Sequence, residues 1–546
     1  MTRRARAGRW LLAAGFLAAC LPALTPIREV DLSWHLSAGR FIVRHARVPT
    51  TDFLTWTQQG RPWIDFEWIP QLVFYGLYLL GGLAALWLLK AAVFVAALFL
   101  LAALLRRRGV PDAWIGLALP AAALTLSPFA SARPEIASFV FCLLQLHALE
   151  DRRLGVSRLG RRASLAAHAL AYAFWANSHP AFPLGLALCL CYGAWDWAAA
   201  GLLGTFANPY GPALYALFFA HGSRLAVLRD YERTWWGSPD LSDMFNRSYL
   251  ALLVFSLAAA LASLRRPRRL PIPHLLVVAA LAASSLASRR FVPYFAVAAF
   301  PLASGAAGAL EPPAGWSSLR PWLAAVAAAW LGVLGVHVLA KQGLFEGIDE
   351  RPGRGLAGAA SFLNRDKDVL SRLSMYCSWD AGSYLGFELD PAYKVFMDGR
   401  YLSLRYFPIV KEASASPESW RRFMDDQRVG LVVSDLVRLS ARDPAAPLGP
   451  PRPLDLFYLP PAEWALVYWD SRVAVWVRRA AVDRAWLARR EYRYLHPGDL
   501  PFLAASVAGG KLALAKVLPE IRRYEREIGD PGQSAQLERW LGEVRR

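Results

Sequence analysis

The sequence predicts a mainly α-helical membrane protein, a polytopic transmembrane bundle of about eleven spans followed by an exported C-terminal α/β domain. Apolar residues make up 55% of the 546-residue chain. They are concentrated in runs whose length is close to that of a bilayer-spanning helix. From about residue 343 onward the composition becomes that of a soluble protein. We therefore divide the chain into a transmembrane domain (1–342), an α/β domain (343–480) and a helical tail (481–546).

The apolar runs locate the predicted spans. Cys20 ends a segment that resembles a lipoprotein cleavage box, but the apolar run continues through Ile27, so we expect an uncleaved first helix. The five cysteines form neither a disulfide framework nor a metal-binding pattern. Interfacial Trp or Tyr residues extend the shorter runs. A short helical segment between 198 and Asn208 is expected to add an eleventh crossing. The ten runs are 10–27, 83–105, 113–128, 136–149, 164–176, 181–194, 249–264, 273–287, 291–307 and 321–340.

The net charge of +19 predicts topology rather than nucleic-acid binding. Its arginines cluster in short connections between apolar runs, which the positive-inside rule places on the cytoplasmic face beside anionic lipid. The alternation of these clusters predicts a cytoplasmic N-terminus and an extracytoplasmic C-terminal domain. The clusters lie within 3–9, 106–108, 152–162 and 265–269.

The same alternation places residues 28–68 outside, as the first outer loop. Residues 67–105 are long enough for two helices, but two crossings would put Arg106–Arg108 on the outer face. We therefore predict that 67–82 is a juxtamembrane helix that ends at Gly81 and Gly82, and that only 83–105 spans the membrane.

Several polar motifs share this predicted outer face. Ionisable residues that converge at helix ends on one face indicate a functional site. The alternative is that each motif merely ends its helix at the water. The motifs are Arg133-Pro-Glu135, Asn177-Ser-His179, Asn208-Pro-Tyr-Gly211, Glu232 with Trp235-Trp236, and Arg289-Arg290.

Asp31 and His35 are the candidate reactive groups of the first loop. They are four residues apart and would share a face if the segment is helical. A carboxylate near the membrane surface can act as a general base on an acceptor hydroxyl, and His35 could hold a phosphate. The alternative is an interfacial ion pair or a helix cap. A metal bound by this pair alone would be under-ligated.

The C-terminal part alternates helix and strand patterns, which favours a small α/β domain. We predict helices over 354–366 and 417–427. Short apolar runs predict buried strands at 394–397 and 430–434. Two further runs, 464–469 and 473–477, flank Asp470-Ser-Arg472 and predict a hairpin.

The order of these features resembles the C-type glycosyltransferase (GT-C) superfamily, integral-membrane enzymes that use polyprenyl-phosphate-linked sugars. Asp31 stands where related enzymes carry an acidic catalytic residue, although Leu32 and Ser33 replace a second acid. Asp65 and Glu67 lie where related enzymes have a Lys-Pro-Pro segment. A group of largely uncharacterised bacterial membrane proteins is more similar still. The shared phrases are Asp31-Leu-Ser-Trp-His-Leu36, Trp63-Ile-Asp-Phe-Glu-Trp68, Arg133-Pro-Glu135, Trp175-Ala-Asn-Ser-His179, Asn208-Pro-Tyr-Gly211, Arg290-Phe-Val-Pro293 and Phe396-Met-Asp-Gly-Arg400.

The resemblance implies an inverting sugar transfer at the outer face of the bacterial inner membrane. The donor would be a polyprenyl-phosphate sugar, and the acceptor a hydroxyl of a glycan, lipid or protein. Asp31 would be the base, and Asp65 or Glu67 would orient a substrate. Metal dependence varies in the superfamily, so a divalent metal remains open. Residues expected at the donor phosphate or nearby are His35, Arg133, Glu135, His179, Arg289 and Arg290.

Two other functions remain as alternatives. A non-catalytic scaffold of the same fold could use the exported domain to recruit partners. A lipid or solute transporter should carry polar groups at mid-membrane depth, whereas the predicted spans are largely apolar apart from Lys90, His147 and His168.

Overall fold

The computed structural model describes residues 3–216, 237–239, 244–264, 272–309, 320–341, 354–436, 440–442 and 451–544. The protein is mainly helical, with a small sheet near the C-terminus, as the sequence predicts. It divides into two compact units, each described separately below. The first comprises Met1–Glu29, Ala38–Val48 and Ile64–Arg351, and the second comprises Val30–Ser37, Pro49–Trp63 and Pro352–Arg546.

Helices occupy every predicted apolar run. The first helix is shorter than predicted, because it gives way to a 3-10 turn at Leu21–Leu24 that includes Pro22. The helices are α1 (Arg3–Ala19), α2 (Asp31–His45), α3 (Trp68–Arg107), α4 (Asp112–Leu126), α5 (Glu135–Arg153), α6 (Arg161–Ala176), α7 (Phe182–Cys191), α8 (Trp195–Thr205), α9 (Met244–Leu264), α10 (Ile272–Ala287), α11 (Val292–Ala309) and α12 (Arg320–Lys341).

Helix α3 consists of two helical segments joined at a kink. Gly81 (φ −156°, ψ 21°) and Gly82 (φ 59°, ψ −146°) both leave the helical region. The positive φ of Gly82 is a conformation that favours glycine. The break lies at the two residues where we expect the juxtamembrane helix to end. Among the described residues, two helical segments are long and apolar enough to cross a membrane, Trp68–Arg107 and Asp112–Phe129.

Small residues allow the helices of the first unit to pack closely. A Cβ atom added at Gly15 of α1 would lie 1.8 Å from the carbonyl oxygen of Gly116 in α4. One added at Gly204 of α8 would lie 2.0 Å from the carbonyl oxygen of Ala169 in α6. Glycine at helix crossings is typical of bundles whose association depends on close backbone contact.

Connections that we assign to the cytoplasmic side gather at one end of this unit. Arg108 donates to Glu150 (2.6 Å) and lies 2.9 Å from Nδ1 of His274. Arg152 donates to Asp196 at 2.7 Å. These contacts join the ends of α3 and α5 to the starts of α8 and α10. The basic segment 265–269 lies outside the described residues.

The second unit is built on a four-stranded sheet in the order β1-β2-β6-β5. Strand β1 (Ser374–Cys377) pairs in parallel with β2 (Val429–Asp435), and β6 (Val473–Arg478) is antiparallel to both β2 and β5 (Trp464–Trp469). The predicted hairpin is present. Asp470 stabilises its turn by accepting backbone N–H bonds from Arg472 and Val473, both at 2.8 Å. A short ribbon consists of β3 (Ser440–Ala441) and β4 (Arg452–Pro453).

The predicted strand at 394–397 is wrong. Only Val395 makes a β-bridge there, and its partner is Thr55 in the first loop. The N–H of Val395 donates to Leu54, and its carbonyl accepts from Trp56, both at 3.1 Å. Instead, the strand parallel to β2 is β1, whose four residues give too short a signal to recognise.

Residues 49–63 are therefore part of the second unit. The indole N–H of Trp56 donates to the Met375 carbonyl at 2.9 Å. Thr57 Oγ1 donates to the Phe396 carbonyl at 2.5 Å, and Gln58 Nε2 donates to the Leu402 carbonyl at 3.3 Å. These bonds join one segment of the first loop to elements more than 300 residues later.

The C-terminal segment that we expect as a helical tail also belongs to this unit. Tyr524 stacks on Trp469 of β5, with ring centroids 4.1 Å apart. Glu520 accepts backbone N–H bonds from Arg493, Tyr494 and Leu495. The helices of the unit after α12 are α13 (Ala357–Arg365), α14 (Lys367–Leu370), α15 (Trp379–Glu388), α16 (Tyr406–Ala413), α17 (Pro417–Asp426), α18 (Asp455–Tyr458), α19 (Arg484–Arg490), α20 (Leu500–Ala508), α21 (Leu514–Glu527) and α22 (Pro531–Val544).

Candidate active site

Asp31 is the first residue of α2 and is partly exposed. A carboxylate in the first turn of a helix interacts favourably with the positive end of the helix dipole. His35 lies one turn later, as we expect, but it is only 2% exposed. Its ring packs against Trp34, with centroids 3.6 Å apart and planes inclined by 33°. Asp31 is therefore the accessible member of the pair.

The phrase Phe396-Met-Asp-Gly-Arg400 lies directly against Asp31. A Cβ atom at Gly399 would stand 2.4 Å from Oδ1 of Asp31 and 2.8 Å from Nε1 of Trp34. Only glycine leaves room for that approach. The Gly399 N–H donates to Oγ of Ser383 in α15 at 2.9 Å, which holds the loop in place.

Arg400, the next residue, forms a buried ionic group that we call the carboxylate clasp, consisting of Asp52, Asp398 and Arg400. Arg400 Nε donates to both oxygens of Asp398 at 3.0 Å, and its Nη2 donates to Asp398 and to Asp52. The guanidinium carbon lies 4.5 Å from the ring centroid of Trp63. The clasp thus fixes the first loop to the Phe396–Arg400 loop.

The two carboxyl groups of the clasp differ in acidity. Burial alone raises the pKa of Asp52, but the charge of Arg400 and hydrogen bonds from Thr55, Arg400 and Leu54 outweigh burial and lower the pKa. Burial raises the pKa of Asp398, and the negative charge of Asp52 adds to this effect, so Arg400 does not fully offset it. Asp398 therefore takes up a proton more readily than Asp52.

The first unit contains a second polar group around the start of α5. Glu135, 6% exposed, begins that helix. The buried side chain of Tyr294 in α11 interacts electrostatically with Glu135 and Arg290. Oγ of Ser138 accepts from Nε1 of Trp175 at 2.8 Å and lies 2.9 Å from Nδ1 of His179. Three of the predicted outer motifs therefore lie together in this unit.

His179 is neutral in this environment. Burial lowers its pKa well below the usual value, and the positive charge of Arg290 lowers it further. The Ala181 backbone N–H points to Nδ1 at 3.3 Å, so that nitrogen is an acceptor and the proton resides on Nε2. His179 can therefore donate a hydrogen bond, but it carries no positive charge for an anion.

Asp65 and Glu67 are arranged around the start of α3. Asp65 is 2% exposed and accepts hydrogen bonds from Nε2 of Gln71 (2.7 Å) and from the Glu67 backbone (3.4 Å). Its own N–H donates to the Tyr210 hydroxyl at 2.9 Å, which brings Asn208-Pro-Tyr-Gly211 to this position. Trp68 Nε1 donates to Oδ1 of Asn177 at 2.6 Å. These bonds link two further predicted motifs to Asn177-Ser-His179, which also belongs to the group around α5.

The remaining candidates are two partly buried arginines. Arg133 lies two residues before the start of α5, and the backbone N–H of Arg289 donates to the Gly237 carbonyl at 2.9 Å. Glu232, Trp235 and Trp236 lie outside the described residues. Asp31 and His35 belong to the second unit, and the other seven candidates belong to the first. Within the described part of the chain, no three His, Cys, Asp or Glu side chains are grouped to hold a metal ion.

Sequence reasoning missed several polar residues that the structure places at these groups. Ser138 and Tyr294 lie inside apolar runs, where a lone hydroxyl is a weak signal. Trp34, Gly399 and Arg400 occur in the recurring phrases, but nothing in their local pattern assigns them a role. Asp52 has no local signal at all, since its partner Arg400 is 348 positions away.

No protein-family model matches the chain, and no curated protein matches it. Solved structures do. The apo form of the oligosaccharyltransferase of Archaeoglobus fulgidus superposes with a TM-score of 0.52 at 14% identity, covering 78% of this chain and 70% of that one. The same archaeal enzyme, AglB, in complex with an inhibitory peptide and a dolichol-phosphate, gives 0.54 at 14% identity, with coverages of 78% and 69%.

ArnT from Cupriavidus metallidurans bound to undecaprenyl phosphate covers 85% of this chain and 96% of its own, at 15% identity and a TM-score of 0.43, too low to support further argument. The matches to the archaeal enzyme cover most of both chains. The chain therefore shares the fold of this archaeal oligosaccharyltransferase, in agreement with the fold that the sequence resemblance implies.

Proposed function

We propose that this protein is an integral-membrane glycosyltransferase that transfers a sugar from a polyprenyl-phosphate-linked donor to an acceptor hydroxyl, with inversion. The observation that carries the proposal is the setting of Asp31. It is a partly exposed carboxylate at the start of α2, held against the backbone of Gly399. The GT-C fold, which an archaeal oligosaccharyltransferase shares, supports this reaction class.

Asp31 is the general base of this proposal. The acceptor oxygen attacks the anomeric carbon of the sugar as its proton passes to the Asp31 carboxylate. The bond between the anomeric carbon and the phosphate oxygen breaks, and the polyprenyl phosphate leaves with the electron pair. Phosphate is a good leaving group, so a base together with cations that stabilise the departing charge is sufficient.

Arg133, Arg289 and Arg290 are the proposed ligands of the donor phosphate. The guanidinium group is planar and permanently charged, which suits two-point binding of phosphate oxygens. His179 contributes as a neutral donor through Nε2, since its lowered pKa excludes a cationic role at neutral pH. Glu67, which is partly exposed, remains a candidate for orienting a substrate, whereas the bonds of Asp65 support a structural role.

We place the reaction at the outer face of the bacterial inner membrane, with the C-terminal domain extracytoplasmic. Two observations support this. Two helical segments are apolar and long enough to span a bilayer. The arginine-rich ends of α3 and α5 adjoin each other and the start of α10, consistent with one cytoplasmic side under the positive-inside rule. The expected number of spans remains about eleven.

The test is a sugar-transfer assay with the purified full-length chain in lipid vesicles, offered a panel of polyprenyl-phosphate sugars. Asp31→Asn removes the base and should lower kcat by about 10²–10⁴-fold. The matched control is Glu412→Gln, which neutralises an exposed carboxylate on α16 and should leave transfer unchanged. Full activity of Asp31→Asn would overturn the catalytic assignment. Wild-type protein that transfers no sugar from any donor would favour the non-catalytic scaffold.

A further inference from the structure

We propose that Ser138, itself oriented by Trp175, is a positioning residue that holds His179 with its proton on Nε2, from which the ring donates a hydrogen bond to the donor phosphate. This inference rests on the proposed function and adds two residues to it. It is carried by a hydrogen-bond chain, consisting of Trp175, Ser138 and His179, that joins α5 to α6 and to the segment between α6 and α7.

Ser138 uses its hydroxyl differently from many serines in helices. Such a hydroxyl commonly donates to the carbonyl four residues earlier in its own helix, as Ser256 does to Leu252 at 2.7 Å. Oγ of Ser138 lies instead 2.9 Å from Nδ1 of His179 and 2.8 Å from Nε1 of Trp175. The hydroxyl therefore connects separate parts of the unit.

The direction of each hydrogen bond follows from the groups at the two ends of the chain. The indole N–H of Trp175 can only donate, so Oγ of Ser138 accepts from it. The backbone N–H of Ala181 can also only donate, and it points to Nδ1 of His179 at 3.3 Å. Nδ1 is therefore an acceptor, and the Ser138 hydroxyl donates its hydrogen there. Since His179 is neutral, its one ring proton is on Nε2.

Burial and close packing keep this arrangement fixed. Ser138 is 0% exposed and Trp175 is 1% exposed, so water does not compete for their hydrogen bonds. A Cβ atom at Gly185 of α7 would lie 2.4 Å from Cζ3 of Trp175, and Phe141 stacks on the indole with centroids 5.3 Å apart. The hydroxyl of Tyr294 also interacts with Ser138 and can donate to the second lone pair of Oγ. The serine hydrogen thus remains available to the imidazole.

The position of the proton decides whether His179 can bind a phosphate. Nε2 makes no hydrogen bond to the described residues and is not completely enclosed, so it is the ring nitrogen open to a ligand. With the proton on Nε2, the ring donates to a phosphate oxygen. With the proton on Nδ1, the lone pair of Nε2 would face that negatively charged oxygen and repel it. Burial and the charge of Arg290 lower the pKa of His179 well below its usual value, which excludes the doubly protonated ring.

The first measurement is sugar transfer by the full-length protein in lipid vesicles. Ser138→Ala removes the hydrogen bond to Nδ1 but leaves the imidazole in place. A hydrogen bond to the departing phosphate is strongest in the transition state, so we expect kcat to fall about tenfold while the donor KM stays within about twofold. Ser256→Ala is the matched control, because it removes a similarly buried hydroxyl that bonds within its own helix, and it should transfer at the wild-type rate. Equal kcat values for the two variants would overturn the inference.

The second measurement reports the position of the proton directly. Solid-state 15N NMR of histidine-labelled protein distinguishes the two neutral forms of imidazole, and His179→Gln identifies the signals of this ring among the nine histidines of the chain. We expect a single form in the wild type, with the proton on Nε2, and a mixture of both forms in Ser138→Ala. The same single form in both proteins would overturn the inference, whatever their transfer rates.

Trp175→Phe tests the orienting role of the indole. It removes the N–H that fixes the direction of the Ser138 hydroxyl. If the indole acts only through that hydroxyl, the double variant with Ser138→Ala should be no slower than Ser138→Ala alone. A further loss of kcat in a double variant that thermal unfolding shows to be folded would overturn the orienting role of Trp175.

Asp31→Asn in the same series separates this inference from the proposed function. Full activity of Asp31→Asn together with a tenfold loss in Ser138→Ala would overturn the assignment of the base and leave the positioning role intact. Loss of transfer in Asp31→Asn together with full activity of Ser138→Ala would overturn the positioning role and leave the proposed function intact.

Discussion

The second unit contains two groups of polar side chains that contact the loop 398–400. They differ in how deeply their charged side chains are buried. In the carboxylate clasp, Asp52, Asp398 and Arg400 are all at least 97% buried and pair with one another. Gly399, between Asp398 and Arg400, lies against Asp31, which is partly exposed, and against Trp34, whose Nε1 has no hydrogen-bond partner among the described residues. Charges that are buried and paired within the protein fix the loop, whereas the carboxylate beside the loop is partly exposed and therefore accessible to a substrate.

The largest expected effect comes from removing the cation of the clasp. Arg400→Met leaves two carboxylates buried beside each other, and breaking a buried ion pair in this way costs about 3–5 kcal/mol. We expect a correspondingly lower midpoint in thermal unfolding of the full-length protein. Arg422→Met, which replaces an exposed arginine on α17, is the control and should change stability by no more than about 0.5 kcal/mol. Equal midpoints for the two variants would show that the clasp does not stabilise the fold.

Two glycines of α15 test how tightly the shared loop is held. A Cβ atom at Gly382 would lie 1.8 Å from the Met397 carbonyl oxygen, whereas at Gly386 the nearest atom is 3.7 Å away. Gly382→Ala should therefore destabilise the protein by about 1–3 kcal/mol. Gly386→Ala should be neutral, or stabilising by up to about 1 kcal/mol, because alanine favours a helix. Chemical denaturation of both variants decides this, and an equal effect at both sites would contradict the close approach of α15 to the loop.

The opposite pKa shifts of Asp52 and Asp398 predict opposite pH dependences. The lowered pKa of Asp52 contributes stability that is present above its unfolded value of 3.8 and is lost as pH falls through the folded pKa. The raised pKa of Asp398 contributes stability that is lost as pH rises from 3.8 through the folded pKa. Asp52→Asn should therefore destabilise the protein more at neutral pH than at acid pH. Asp398→Asn should destabilise it more at acid pH than at neutral pH.

Unfolding titrations of both variants and wild type between about pH 3 and pH 8 test this prediction. The measured quantity is the difference in unfolding free energy from wild type at each pH. If this difference changes with pH in the same direction for both variants, the pKa values of Asp52 and Asp398 are not shifted in opposite directions.

The smallest expected effect is the coupling between the two groups through Trp63. Its ring lies under Arg400 and edge-on to Trp34. A double-mutant cycle of Arg400→Lys with Trp63→Phe should give a coupling energy of about 0.5–1.5 kcal/mol in thermal unfolding. Strict additivity of the two single effects would show that the contact between Arg400 and the Trp63 ring contributes no energy.

Local patterns predicted much of the helical part of the molecule. Each apolar run corresponds to a helix because a long apolar stretch satisfies its backbone hydrogen bonds internally. The break at Gly81 and Gly82 was also predictable, since two adjacent glycines weaken a helix and one of them adopts a positive φ. The phrase Asp31-Leu-Ser-Trp-His-Leu36 drew attention to Asp31 and His35, but the sequence alone did not show that a helix begins at Asp31.

Predictions based on short strands and separate segments were less successful. The run at 394–397 is apolar and β-favouring, yet its partner is the first loop rather than the sheet. The segment after residue 480 carries many charges, yet Tyr492, Val517, Ile521 and Tyr524 enter the core of the second unit. In both cases the pattern showed which side chains are buried but not what covers them.

The sequence by itself determined the helical class, the positions of the apolar helices, the resemblance to GT-C enzymes and the choice of Asp31 as the candidate base. These features depend on local hydrophobicity, helix-breaking residues and short recurring phrases. Only the tertiary structure placed Gly399 against Asp31 and Trp34, and joined Asp52 to Arg400 across 348 positions. Contacts of that kind depend on how the chain folds and not on the spacing of residues. An ion pair between residues far apart in the chain leaves no repeating pattern in a single sequence. Nor does a glycine that is needed because another side chain packs closely against it.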